Sequence, residues 1–271
     1  MKRLSAILIV MALFAASMPV QASSVNRYAY NGKFKNSKIT VTIWFEENVD
    51  GVLSGEIVYT NTRQKTPIRI LGRSQTLKDG VLYYGNHFPV TGGVKSFNLT
   101  EFQKDGLLTG RIDIVKNMDN GTLRATWYNN NTKDPNKPSS YDIILTPVPF
   151  PNGKGGTLTY STNPVGKYGF HYYDYNWDGE LCGRVEISYL KGNTAKKRVY
   201  IDNATHNIAE YEQNLTFNKG VFTGRVKPCD IEYRVHVFKD FVFVEYTESG
   251  ESFCPEFGEG ASLEGFYPRI K

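Results

Sequence analysis

The stretch of the chain richest in chemistry-bearing residues is Tyr168-Gly-Phe170-His171-Tyr172-Tyr173-Asp174-Tyr175-Asn176-Trp177-Asp178-Gly179-Glu180. Asp174, Asn176 and Asp178 fall at alternate positions before Gly179, the spacing with which oxygen ligands enter a calcium loop. The twelfth position of such a loop is Val185, and Glu186 comes one residue late, so the bidentate carboxylate is missing. Glu46-x-Asn48-x-Asp50-Gly51 has the same composition, which makes hairpin-turn chemistry the better explanation of both segments; no metal or other cofactor is expected. The rings suit a different task. A flat amphipathic ring offers contact area at low entropic cost, so sugars and partner loops settle on it. Strand alternation puts Tyr168, Phe170 and Tyr172 on one face and His171, Tyr173, Tyr175 and Trp177 on the other, and the second set is the candidate binding face.

Elsewhere the signatures of reaction chemistry are missing. The chain has no Gly-x-Ser-x-Gly, no glycine-rich phosphate loop and no His-Glu-x-x-His, and its acidic pairs, such as Glu245 and Glu248 or Glu210 and Glu212, read as solvated strand faces. A non-enzyme is therefore expected. The four histidines (His87, His171, His206, His236) are scattered and no Cys-x-x-Cys occurs, so a zinc site has no support. The cysteines are Cys182, Cys229 and Cys254; in an oxidising compartment three thiols allow three alternative single bridges, and spacing does not choose among them.

The elements that carry these residues follow from a repeat. Asp50-Gly51-Val-Leu53-Ser-Gly55, Asp105-Gly106-Leu-Leu108-Thr-Gly110, Asp178-Gly179-Glu-Leu181-Cys-Gly183 and Lys219-Gly220-Val-Phe222-Thr-Gly224 share one pattern. The first glycine of each supplies the positive φ of a tight hairpin turn, and the residues after it alternate with period two. The second glycine falls inside the outgoing strand, where it marks a bulge, a barrel corner or close backbone approach. Turn signals at Lys78-Asp79-Gly80, Thr91-Gly92-Gly93 and Asn120-Gly121 divide the first half into short strands. No window shows helical periodicity. Eight or nine antiparallel strands without edge protection predict an up-and-down barrel. Pro147-Val-Pro149-Phe-Pro151-Asn-Gly153-Lys-Gly155-Gly156 then breaks any ladder. The expected organisation is all-β, with a first barrel over 23–147, a linker over 148–156 and a second β domain over 157–271 whose first strand is Thr157 to Ser161.

Composition agrees with this. The 271 residues are 40% hydrophobic, 22% charged and 14% aromatic, which excludes disorder and a membrane bundle. Residues 1–22 read as a signal peptide: Lys2-Arg3, an apolar run from Leu4 to Ala16, and Val20-Gln21-Ala22 at the cleavage site. That run is far short of the roughly 20 residues that span a bilayer. The mature chain is expected to begin at Ser23 and to be secreted or periplasmic. The net charge of +5 includes Lys2 and Arg3, and the remaining +3 is too mild and interspersed for nucleic acid.

The first half resembles the lipocalin-like barrel modules of exported bacterial proteins, through Phe34 to Phe45, Leu53-Ser-Gly55 followed by Tyr59, Ile68 to Gly72, Leu99-Thr-Glu101, Leu108-Thr-Gly110 and Gly121 to Trp127. The second half is similar to a module ending in a Cys, a Phe-Gly-x-Gly turn and a Gly-x-Tyr strand, here Cys254-Pro-Glu-Phe257-Gly258-Glu-Gly260 and Gly265-Phe-Tyr267. The second resemblance implies that Cys254 pairs with Cys229. It leaves Cys182, in the slot held by Ser54, Thr109 and Thr223 of the other repeats, as a free thiol. The expected function is non-catalytic binding of a protein or glycan partner through loops or the aromatic face. The alternative is an inhibitor or immunity protein that blocks a hydrolase such as lysozyme, with Lys133-Asp-Pro135-Asn-Lys-Pro138 as its protruding loop; a hydrolase of unrecognised type is third.

Overall fold

A computed structural model describes residues 25–63, 66–82, 90–130, 140–174, 179–205, 207–227, 229–247, 254, 257 and 262–270. Among them there is no helix; sixteen antiparallel strands form two barrel-like sheets. The first sheet runs in chain order through β1 (Asn26–Phe34), β2 (Thr40–Glu47), β3 (Val52–Tyr59), β4 (Ile68–Leu82), β5 (Val90–Phe102), β6 (Leu108–Asn117), β7 (Leu123–Asn129) and β8 (Ser140–Pro147). It closes when β8 pairs with β1, in register from Tyr30 opposite Pro147 to Phe34 opposite Ile143. One alternating set of apolar positions turns inward, and Tyr30, Ile43, Phe45, Ile57, Phe97, Leu99 and Ile112 fill the interior.

The second sheet comprises β9 (Gly166–Asp174), β10 (Gly179–Leu190), β11 (Asn193–Thr205), β12 (Asn207–Thr216), β13 (Val221–Val226), β14 (Ile231–Val237), β15 (Phe241–Tyr246) and β16 (Gly265–Ile270). Its order is β12-β11-β10-β9-β16-β15-β14-β13, around a core that includes Tyr168, Val185, Ile201, Phe222, Val235, Val244 and Tyr267. Nearly closed, it brings β12 and β13 together at a seam. The hairpin between them starts with the reciprocal backbone bonds of Asn218 and Val221 across Lys219 and Gly220, both at positive φ. Beyond that bridge side chains replace the ladder. The Gln213 amide donates to the carbonyl of Arg225 and accepts from its N–H, both at 3.3 Å, while the Tyr211 hydroxyl donates to the same carbonyl at 3.0 Å.

The repeat glycines have specific neighbours. A Cβ at Gly55 would lie 1.9 Å from the Trp44 carbonyl oxygen; at Gly110, 2.7 Å from the Trp127 indole nitrogen; at Gly183, 2.4 Å from the Phe170 ring; at Gly224, 2.5 Å from the Tyr233 ring. The second glycine of every repeat is thus a site of close approach, one of the three roles the sequence pattern allows, to backbone at Gly55 and to an aromatic ring at the other three. At the turns, Gly51, Gly106 and Gly220 hold positive φ, whereas the turn before Gly179 lies in 175–178, outside the described residues.

Three local assignments differ from the sequence-based expectation: the turns at Lys78-Asp79-Gly80 and at Thr91-Gly92-Gly93, the latter lying inside β5, and the strand expected over 157–161. Lys78 to Gly80 is no turn: β4 runs through it with a register shift between Leu77 and Gly80, and Gly80 pairs with Gly92 inside β5. A two-glycine pairing without side chains absorbs the one extra residue of β4 as a bulge. Thr157 to Ser161 makes no strand; Tyr160 forms one isolated bridge with Phe238, because Leu158 and Tyr160 are committed to packing between the barrels. Within 148–156, Phe150 packs edge-on against Trp44 at 5.6 Å and beneath the Arg27 guanidinium. Cys229 and Cys254 are bridged, with Cα atoms 5.3 Å apart, and Cys182 is free and exposed on the outer face of β10. By chain-entropy reasoning the bridge, 25 residues apart in sequence, contributes about 3 kcal/mol.

The glycine geometry gives a paired test by urea unfolding. Gly55→Ala drives a methyl group into backbone and is expected to cost at least about 3 kcal/mol. Gly121→Ala, in a positive-φ turn with nothing within 4 Å of the added atom, is expected to cost about 1 kcal/mol. Equal losses would show that close approach does not dictate the repeat.

Candidate functional site

The outer face of β3, β4 and β5 is apolar where a solvated barrel would be polar. Val52, Leu71 and Phe102 turn outward there and are buried with Leu158, Phe238, Phe241 and Phe243 in a core shared by both barrels. Rings stack through it, with Tyr160 on Phe238 at 4.8 Å, Phe238 on Phe241 at 4.5 Å and Phe243 on Phe266 at 4.6 Å. Polar contacts rim it. Glu46, almost fully buried, accepts from the Thr157 N–H at 2.9 Å, from its hydroxyl at 3.1 Å and from Arg27, which ties the connecting segment to the first barrel.

Beside this core a cleft of about 160 Å³ opens between the barrels, lined by Ser54, Gly55, Glu56, Pro67, Arg69, Phe102, Gln103, Lys104, Thr157 and Asp240. Arg69 is largely buried in its wall and donates from Nη1 to the backbone carbonyl of Asp240 at 2.8 Å; burial pushes its pKa down, against the pull of the Asp240 and Glu56 carboxylates. Glu56 forms an ion pair with Lys154 at 2.8 Å. The far wall is the β5–β6 turn, closed by Gln103 N–H to Leu107 O at 2.9 Å and Gly106 N–H to Gln103 O at 3.0 Å. Gly106 sits at φ +90°, and a Cβ there would meet the Gly169 carbonyl at 2.6 Å, so only glycine lets this turn lie against the second barrel.

A chain of polar groups crosses the same junction. His236, 6% exposed, donates from Nε2 to Glu245 at 2.9 Å, and its Nδ1 is 3.2 Å from the Tyr160 hydroxyl. With a carboxylate on one nitrogen, the network assigns the neutral ring as Nε2–H, accepting from Tyr160. Arg73 of the first barrel reaches Glu245 at 3.5 Å and covers the Phe243 ring at 5.1 Å. The hydrogen bond from His236, helped by the nearby Arg73 and Arg234 guanidinium charges, holds the Glu245 carboxyl below its ordinary range despite desolvation.

Two further carboxylates point into the first barrel. Glu47 accepts from Lys95 at 2.7 Å, Tyr28 at 2.8 Å, Asn26 at 3.2 Å and Ser74. Desolvation would raise its pKa, but these donors together bring it below the ordinary value. Glu101 accepts from Tyr59 at 2.7 Å, Trp127 at 3.1 Å and Thr109 at 3.2 Å; its burial raises its pKa. With these donors in place, both serve the barrel interior.

The residues singled out from sequence lie beside this junction. His171 is on the outer face of β9, opposite Cys182; its backbone N–H donates to Gly106 O at 3.1 Å and its Nδ1 is 3.4 Å from Glu180. Tyr173 shares that face, opposite Glu180, and is half-buried. Asp174 ends β9 opposite Gly179, while Tyr175, Asn176, Trp177 and Asp178 lie outside the described residues, as does the 133–138 loop. Cys182 is no activated thiol: desolvation, Asp202 and Glu180 raise its pKa. Sequence reasoning missed Arg69, Asp240 and His236, and its reading of Glu245 as a solvated strand face is corrected: the carboxylate is mostly covered and bound to His236 at the junction. A signal was present in the paired apolar residues Val52-Leu53 and Ile70-Leu71 and in Phe241-Val-Phe243-Val, which mark strands buried on both faces.

No protein-family model, no curated protein and no solved structure matches the chain.

The Glu245 pair has a defined pH signature. A carboxyl whose folded pKa is depressed contributes stability that is complete above its unfolded value and lost as pH falls through the folded one. The wild type is therefore expected to lose this contribution below the ordinary carboxylate value of 4.5. Glu245→Gln should be about 1.5 kcal/mol less stable at pH 7 and show a shallower acid limb in urea titrations at stepped pH. A mutant that parallels the wild type across that range would refute the assignment.

Proposed function

We propose that this is a non-catalytic, exported binding protein, a tandem of β-barrels of lipocalin-like style that takes a protein or glycan partner at the inter-barrel cleft. The observation that carries this reading is the cleft itself, in which a largely buried arginine, two acidic side chains and an aromatic ring converge at the junction of two rigid sheets, the setting in which ligand sites concentrate. A non-catalytic role is supported by the composition of the site: His236 and Glu245 are bound to each other and to Tyr160 and Arg73, and the free thiol on β10 has a raised pKa. Export is supported by the leader pattern of residues 1–22 and by the Cys229–Cys254 bridge.

The test compares the wild type with Gln103→Trp, which fills the cleft from its exposed rim. Immobilised mature protein is exposed to defined cell-envelope glycan fragments and secreted proteins, and bound material is analysed by mass spectrometry. The wild type is expected to retain a partner, chemically unchanged, that Gln103→Trp retains at least about tenfold less. Equal retention by both would move the surface elsewhere, and turnover of the partner would make the protein an enzyme.

A further inference from the structure

We infer that the inter-barrel cleft is a subsite for a single sugar ring bearing one carboxylate, which Arg69 receives. This rests on the binding reading above and specifies its ligand. A guanidinium presents five N–H donors in a planar fork that matches a carboxylate. Among the described residues Arg69 uses one of them, on the carbonyl of Asp240, and forms an ion pair with none of the described carboxylates. A largely buried cation with donors to spare on the wall of a cleft is built to receive an anion, since an unfilled charged donor is costly in a partly desolvated place. Lys104, at the exposed rim, adds a second positive charge.

The rest of the lining selects which anion. Asp240 and Glu56 border the same space, and Glu56 is balanced by Lys154. A phosphate or sulfate carrying charge on every side would face those carboxylates. A ring with one carboxylate turns that group toward Arg69 and offers hydroxyl donors to Asp240 and Glu56, with Gln103 and the Thr157 hydroxyl as further neutral partners. Phe102 supplies the apolar wall on which the C–H face of a sugar packs. The cleft's roughly 160 Å³ is well under the roughly 300 to 1,000 Å³ of sites that enclose a drug-sized ligand. It therefore holds one terminal ring, the remainder of a chain lying in solvent.

Isothermal titration of the full mature chain uses three probes: a disaccharide ending in glucuronate, the same disaccharide ending in glucose, and a short neutral peptide with a free C-terminal carboxylate. The glucuronate probe is expected to bind, more weakly as salt rises, with the glucose probe at least about tenfold weaker. Arg69→Gln should lose at least about tenfold and Arg69→Lys should recover part of it, while Lys104→Gln on the exposed rim should lose about twofold to fivefold. Because Arg69 also bonds across the junction, each variant is checked for an unchanged unfolding midpoint; if Arg69→Gln is misfolded, Lys104→Gln and the salt dependence decide. Equal affinity for the two sugars, or wild-type affinity in a folded Arg69→Gln, overturns the inference. Binding of the peptide alone overturns it while leaving the cleft as the binding surface, and silence from all three probes in a protein that still retains a Gln103→Trp-sensitive partner overturns only the sugar assignment. Silence with no such partner removes both.

Discussion

A closed barrel solves its hydrogen bonding internally, because every strand has two neighbours, but closure says nothing about the outside. On β3, β4 and β5 of the first barrel the outside is Val52, Leu71 and Phe102, and these side chains need a cover that the barrel itself does not provide. The cover is Phe238, Phe241 and Phe243 of the second barrel, with Leu158 from the connection between them. Full burial of a phenylalanine is worth about 1.5 to 3 kcal/mol, so the aromatic group outweighs the polar contacts at its rim. Once it forms, the positions of Arg69, of the β5–β6 turn and of the Tyr160–His236–Glu245 chain follow, since each spans or borders the junction. The cleft is the space left beside two curved surfaces pressed together along one apolar stripe.

The barrels reach closure by different means, and small residues matter in both. In the first, β8 returns to β1 through a backbone ladder. In the second, Gln213 and Tyr211 stand in for a ladder between β12 and β13, with the Tyr233 hydroxyl at 3.2 Å from the same amide oxygen. Gly224 leaves room for both the Tyr233 ring and the Gln213 amide. A primary amide carries the donor and acceptor of a peptide unit, so it can pair with both groups of Arg225 where the strands have diverged too far to pair directly.

Much of this was legible in the sequence. Period-two alternation and the repeated Gly-x-Leu/Phe-x-Gly pattern carried the all-β class and the barrel, and they marked Gly55, Gly110, Gly183 and Gly224 as special positions without choosing close approach over a bulge or a corner. No motif singles out Glu47, two residues beyond Phe45, or Glu101, two beyond Leu99, and neither is among the expected site residues; the pleat that turns Phe45 and Leu99 inward buries them as well. Composition misled at Lys78-Asp79-Gly80, because a turn signal states what the backbone tolerates, and the pairing of Gly80 with Gly92 made a bulge the better use of it. The candidate site was the least visible part. Arg69 and Asp240 are 171 residues apart, and their meeting depends on which outer faces pack together, a property of two finished barrels and of no local window.

The central physical claim is that the two barrels share one core. Differential scanning calorimetry of the mature chain tests it most directly, by comparing the calorimetric and van't Hoff enthalpies of the wild type with those of Phe241→Ala, a truncation at the centre of the shared aromatic group. The expected result is a single cooperative transition in the wild type, with the two enthalpies equal, that broadens or splits in Phe241→Ala as the barrels uncouple. Two separate transitions in the wild type, unmoved relative to each other by Phe241→Ala, would contradict it.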